Sequence, residues 1–164
     1  MNTIRFTITR EDVYDKVFAT SAYTARARET MGTPSGITER MLLTADDKRI
    51  IDPMIDGSVN EIAGEIARYH PGSSVGITGD GDGDGDGAGY QFSIATPVNY
   101  PAGNADKLTG CIESYIANRT LQNWYTGIKP DEANIFAIKA QNDAMIILAM
   151  LTQRTKPTNP TNNA

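Results

Sequence analysis

Apolar residues recur at helical spacing over four long stretches of this chain and alternate with polar ones over two short stretches. Ile4, Phe6 and Ile8 alternate with Arg5 and Thr7, the period of a half-buried strand or extended lead-in. From Arg10 to about Thr30, Val13, Val17, Phe18 and Tyr23 mark a first helix, entered through a Thr9–Asp12 start resembling a capping box. Residues 31–36, Met-Gly-Thr-Pro-Ser-Gly, are punctuated as a loop. Thr44 opens the next helix, with Asp46 and Asp47 in the first turn, where carboxylates oppose the helix dipole. Ile51, Ile55, Val59, Ile62, Ile66 and Tyr69 carry it to His70, and Pro53 predicts a kink or a break over residues 49–53.

Residues 74–78 and 90–98 predict two strands. In the second, Tyr90, Phe92, Ile94, Thr96 and Val98 share one face, so one side packs and the other is wet. The segment 79–89 between them makes the unit a β-hairpin with a long tip, and Pro97 and Pro101 predict an edge strand. Asn104 is placed to cap a third long helix over 104–125, whose apolar positions are Leu108, Ile112, Tyr115, Ile116, Leu121 and Trp124. Gly127 closes it, and Pro130, Asp131 and Glu132 begin a fourth that runs to about Arg154. The run Ala-Met-Ile-Ile-Leu-Ala-Met-Leu over 144–151 wraps all sides of that last helix, and a helix apolar all round must be covered by something. The fold expected is mainly α: a four-helix-type domain over residues 1–154, one inserted β-hairpin at about 74–98, and an extended C-terminal tail over 155–164.

Composition narrows the function. The 164 residues carry 40% apolar side chains, enough for one modest core. The formal charge of −5 owes four negatives to Asp80, Asp82, Asp84 and Asp86, and the remainder is near neutral with no basic stripe. That argues against sequence-specific nucleic-acid binding. The single cysteine, Cys111, forms no internal disulfide, and the N-terminus lacks the apolar centre of a signal peptide. The run at 144–151 is far short of the roughly 20 residues that span a bilayer. A soluble protein made without export, and no membrane contact, is expected.

The candidate chemistry is sparse. In the repeat Gly-Asp over 79–87, Asp80, Asp82, Asp84 and Gly85 match the first six positions of an EF-hand calcium loop. The twelfth position, which needs a bidentate carboxylate, is Gln91, or Ser93 if the frame shifts by two, and the flanks are strands. An expanded, solvated dipeptide repeat at a hairpin tip is the simpler explanation. His70, the only histidine, has no local partner for metal or base chemistry and suits a helix C-terminus. Cys111 has only Lys107 a helical turn away, so it fits a core or boundary thiol better than a nucleophile. Glu61 and Glu65 form a wet helix face. No cofactor, metal or catalytic residue is expected, and no enzyme activity.

Partner binding has better candidates. Trp124 and Tyr125 close a helix beside a turn, where they either anchor the helix corner or face a partner. The tail Thr-Lys-Pro-Thr-Asn-Pro-Thr-Asn-Asn-Ala has nothing to bury, yet Pro157 and Pro160 pre-set its conformation for docking on a groove or sheet edge. Arg154, Lys156, Pro157, Asn159 and Pro160 are therefore candidate contact residues.

A Thr-led acidic helix start, a hairpin, a helix with aromatics near its end, and a final helix running into Gln-Arg-Thr-Lys-Pro at 153–157 follow in order. This arrangement resembles the head–tail adaptor (connector) proteins of tailed bacteriophages and prophages, most closely over 44–70 and 104–157. The resemblance implies a non-enzymatic virion protein, assembled in the host cytoplasm into a ring, typically twelvefold, between portal and tail. It implies that residues 154–164 reach the portal, that a tail or stopper protein is a further partner, and that the hairpin projects towards a neighbour or the tail channel. The acidic repeat is no part of the family pattern; from Asp80, Asp82, Asp84 and Asp86 alone, a tip facing a channel is expected to repel DNA and to make only passing contact with it. A stopper or tail-completion protein is the alternative within that class, and a calcium-dependent binding module using the Gly-Asp loop is the alternative outside it.

Overall fold

The computed structural model describes residues 1–79 and 88–155. The elements run β1 (Asn2–Thr9), α1 (Arg10–Thr30), α2 (Ser35–Met41), α3 (Lys48–Tyr69), β2 (Ser74–Thr78), β3 (Gly89–Thr96), α4 (Ala105–Tyr125) and α5 (Pro130–Leu151). Short 3₁₀ turns at Ala45–Asp47 and Ala102–Asn104 lead into α3 and α4. The protein is mainly helical, and the predicted hairpin is present. Four long helices match the expected set, and the short α2 is additional: it starts at Pro34–Ser35 and buries Thr38 and Met41, one helical turn apart.

Helix α4 forms the centre, because three others pack on it. Its buried positions include Leu108, Ile112, Tyr115, Ile116 and Leu121, and α4 packs most extensively on α5, then on α3 and α1. Ion pairs staple the same contacts from outside. Arg119 holds Glu61 of α3 through two bonds of 2.6 and 2.9 Å, so half of the expected wet Glu61–Glu65 face is engaged. Lys16 of α1 reaches Glu113 at 2.8 Å.

The strand lead-in at residues 2–9 changes the sheet. β1 pairs antiparallel with β3 from Asn2↔Thr96 to Thr9↔Gly89, and β2 pairs with the other side of β3, giving the order β1-β3-β2. β3 is thus the central strand and not the expected edge. Pro97 lies one residue past its end, where no ladder bond is needed, so the proline does not force an edge position. Tyr90, Phe92 and Ile94 face the core as predicted, with Phe92 stacked on Phe6 at 5.4 Å, but Val98 falls outside the strand and is exposed.

Helix ends were partly legible. Thr9 caps α1, its Oγ1 accepting the Asp12 N–H at 3.1 Å. Thr44 and Asp47 close a capping box, the Asp47 carboxylate accepting the Thr44 N–H at 2.8 Å. The break expected over 49–53 lies instead before Lys48, and α3 runs through Pro53. Proline there forgoes only the bond to Arg49 in the first turn, near the end where the ladder is least complete. Asn104 does not cap α4; its Nδ2 donates to Gln153 Oε1 at 2.7 Å. α5 stops at Leu151, short of Arg154. Tyr23 and Tyr69, expected on apolar stripes, are exposed.

Candidate interaction surfaces

Helix α5 presents two unlike faces. Ala133, Phe136, Ala140, Ile147 and Leu151 are buried against α4 and its neighbours, and Phe136 meets Tyr125 at 5.5 Å between ring centres. On the opposite side Ile138 and Met145 are each 60% exposed, Ile146 is 47% and Ile135 is 38%. The all-round apolar helix is therefore covered on one side by its own chain and open on the other. Lys139 borders the open stripe, its ammonium 4.7 Å from the Phe136 ring centre, and the exposed Asp131 lies one turn before Ile135.

The aromatic pair divides between the two roles considered for it. Tyr125, expected among the partner-contacting residues, is fully enclosed and packs on Phe136, so it anchors the α4–α5 corner and offers nothing to a partner. Trp124 is half-buried, donates its indole N–H to the Met41 carbonyl at 3.3 Å, and lines a cleft with Leu42 and Ile128. That leaves Trp124 as the one member of the pair with surface to share.

The chain leaves α5 along a fixed path. Thr155 donates its N–H and its hydroxyl to the Asn99 carbonyl at 2.9 and 3.0 Å, and the Asn99 side chain donates back to the Thr155 carbonyl at 2.9 Å. With the Asn104–Gln153 bond, these pin residues 153–155 against the segment that follows β3. Arg154 is exposed and borders a groove of about 630 Å³ with Met1, Tyr69, Val98 and Asn99. Lys156, Pro157, Asn159 and Pro160 lie outside the described residues, as do Asp80, Asp82, Asp84 and Asp86 of the hairpin tip.

A polar cluster that sequence inspection missed joins α1, α3 and β3. Arg10 bonds Asp56 at 2.7 Å and donates from Nε to the Tyr90 hydroxyl at 3.0 Å; the Tyr90 hydroxyl donates to Asp56, and the Tyr14 hydroxyl donates to Asp52. Burial first, and the adjacent carboxylate second, push both tyrosine hydroxyls well above their ordinary range. They stay protonated donors, and every strong partner in the cluster is engaged within it. Its chemistry is that of a clamp, not of a reacting group. Arg10/Tyr14 and Asp52/Asp56 each stand at i, i+4, and that matched spacing was the available signal.

The lone histidine follows α3 and the lone cysteine lies on α4. His70 ends α3, its N–H bonded to the Ile66 carbonyl at 2.8 Å, with its side chain largely buried. Burial, then the Asp143 charge, raises the Cys111 thiol, which sits 4.0 Å from the Met150 sulfur. Such a thiol is held in its unreactive form. Among the described residues no group of three metal-ligating side chains converges, and no helix is long and apolar enough to cross a membrane. Comparison with known proteins returned no matching family model, no matching curated protein and no matching solved structure.

Proposed function

We propose that the protein is a structural subunit of a tailed-phage virion, a head–tail adaptor that joins copies of itself in a ring between portal and tail. The open apolar face of α5 carries this reading. Ile135, Ile138, Met145 and Ile146, each 38–60% exposed, share one face of one helix, and exposed apolar side chains gathered in this way mark an interaction site where scattered single ones do not. The pinned exit at Thr155 supports it further, since a tail that starts from a fixed point reaches a neighbour at less entropic cost than one starting from a frayed helix. The order of elements agrees with the adaptor resemblance: capped acidic start, hairpin, aromatic helix end, final helix, and Arg/Lys-Pro tail. In this role the ring is built by the folded body, and residues 154–164, with Arg154, Lys156, Pro157, Asn159 and Pro160, dock on the portal.

Deletion of residues 156–164 tests the assignment, because it leaves the Thr155–Asn99 anchor in place. The expected product folds normally and is missing from assembled particles when supplied in place of the full chain. Incorporation equal to that of the full chain refutes the portal-docking role.

A further inference from the structure

Among the grooves of the described residues, one suits the open face of α5. Ile135, Ile138, Met145 and Ile146 form a ridge about 16 Å long at the helical rise. Between α1 and α2 runs a groove of about 500 Å³. Its buried lining is the small residues Ala25 and Thr38, with the exposed Ala22 beside them, and larger apolar lining comes from Tyr23 (77% exposed) and Leu42 (40% exposed). Small residues beside large apolar ones are what a ridge of isoleucines needs for close packing.

Charge then separates the grooves. The α1–α2 groove carries Glu29 and Glu39 against one Arg26, a net negative rim facing Lys139 beside the middle of the ridge, while the exposed Asp131 lies one turn beyond its Ile135 end. The larger groove beside Asn99 carries Arg154, which would meet Lys139 as a like charge. The cleft at Asp56 and Ile77 is about 270 Å³, and Asp56 there is already held by Arg10 and Tyr90. The preferred groove also continues through its shared Glu39 and Leu42 into the Trp124 cleft, which lengthens the seat.

We infer that the α5 ridge of one copy seats in the α1–α2 groove of the next, with Lys139 against Glu29 and Glu39. The two patches are different surfaces on different helices, so the contact is heterologous. Contacts of that kind close into rings where the rotation allows. This inference rests on the ring reading and names its interface, while its test measures pairing of the isolated chain and needs no portal.

The test uses two full-length variants, each broken on one patch. Ile138→Asp spoils the ridge and Ala22→Arg blocks the groove with a charge of Lys139's sign. Both sites are exposed, and circular dichroism checks each fold. Sedimentation velocity follows the wild type, each variant, and an equimolar mixture, up to about 1 mM, where a contact of that dissociation constant is about two-fifths formed in the wild type. The expected result is association of the wild type, and loss of about 30-fold or more in affinity for each variant alone. In the mixture one intact ridge meets one intact groove, so a one-to-one dimer forms and grows no further. A mixture that stays monomeric, or an Ala22→Arg chain that associates like the wild type, overturns the groove assignment and leaves the ring reading standing on other surfaces. A wild type that is monomeric throughout overturns the pairing, and particle incorporation then judges the adaptor role separately.

Discussion

Two isoleucines on α5 offer a direct measure of how differently its faces are treated. Ile147 is fully buried and Ile138 is 60% exposed, nine positions apart on the same helix. Truncation to alanine removes three carbons, about 2.4 kcal/mol of transfer free energy at a fully buried site. The cavity left in a packed core raises the loss for Ile147→Ala to about 3–4 kcal/mol. At Ile138 only the covered two-fifths of that transfer is lost, about 1 kcal/mol, and alanine's better helix propensity returns about 0.4. With about 3 °C per kcal/mol for a chain of this size, the expected drops in Tm are about 10 °C and about 2 °C. Circular dichroism melting in the sub-micromolar range checks this, since dilution keeps any subunit contact from contributing. Comparable losses at the two sites would show that the outer face of α5 is already packed, and the interaction surface would disappear with it.

The pair between Arg28 of α1 and Glu132 at the start of α5 is a second sensitive point, because Glu132 is only 3% exposed. Arg28→Ala leaves a buried carboxylate without its partner and is expected to lose about 3 kcal/mol, whereas Arg28→Met with Glu132→Leu recovers most of it. Urea unfolding followed by Trp124 fluorescence measures both, and a single-variant loss below about 1 kcal/mol contradicts the argument. Alkaline pH supplies the last prediction. Burial, with neighbouring carboxylates adding to it, holds Tyr14, Tyr90 and Tyr115 above their ordinary range, Tyr115 at about 12 against 10.0. Above pH 10.0 the unfolded chain releases these protons first, so stability falls as the pH rises towards 12. Stability that stays level over that interval, by denaturant titration, refutes the assignment.

The four long helices and the hairpin were legible in the order of residues because their signals are local. Ile51, Ile55, Val59, Ile62 and Ile66 lie on one side of any helix they form, and Tyr90, Phe92 and Ile94 on one side of any strand, whatever the rest of the chain does. Capping worked for the same reason at Thr9 and Thr44, where donor and acceptor are three residues apart. What a face meets is a different kind of information. Only the pairing of Asn2–Thr9 with Gly89–Thr96, about ninety residues away in sequence, makes β3 central. Only the docking of α5 on α4 decides that Phe136 and Ile147 go in while Ile138 and Met145 stay out, and that Tyr125 is enclosed beside a half-buried Trp124. Arg10, Tyr14, Asp52, Asp56 and Tyr90 likewise become one cluster through chain crossings that no short-range period encodes. Periodicity states which residues share a face; tertiary packing, through long-range contacts and the desolvation they impose, determines which faces are closed and which are left for another molecule.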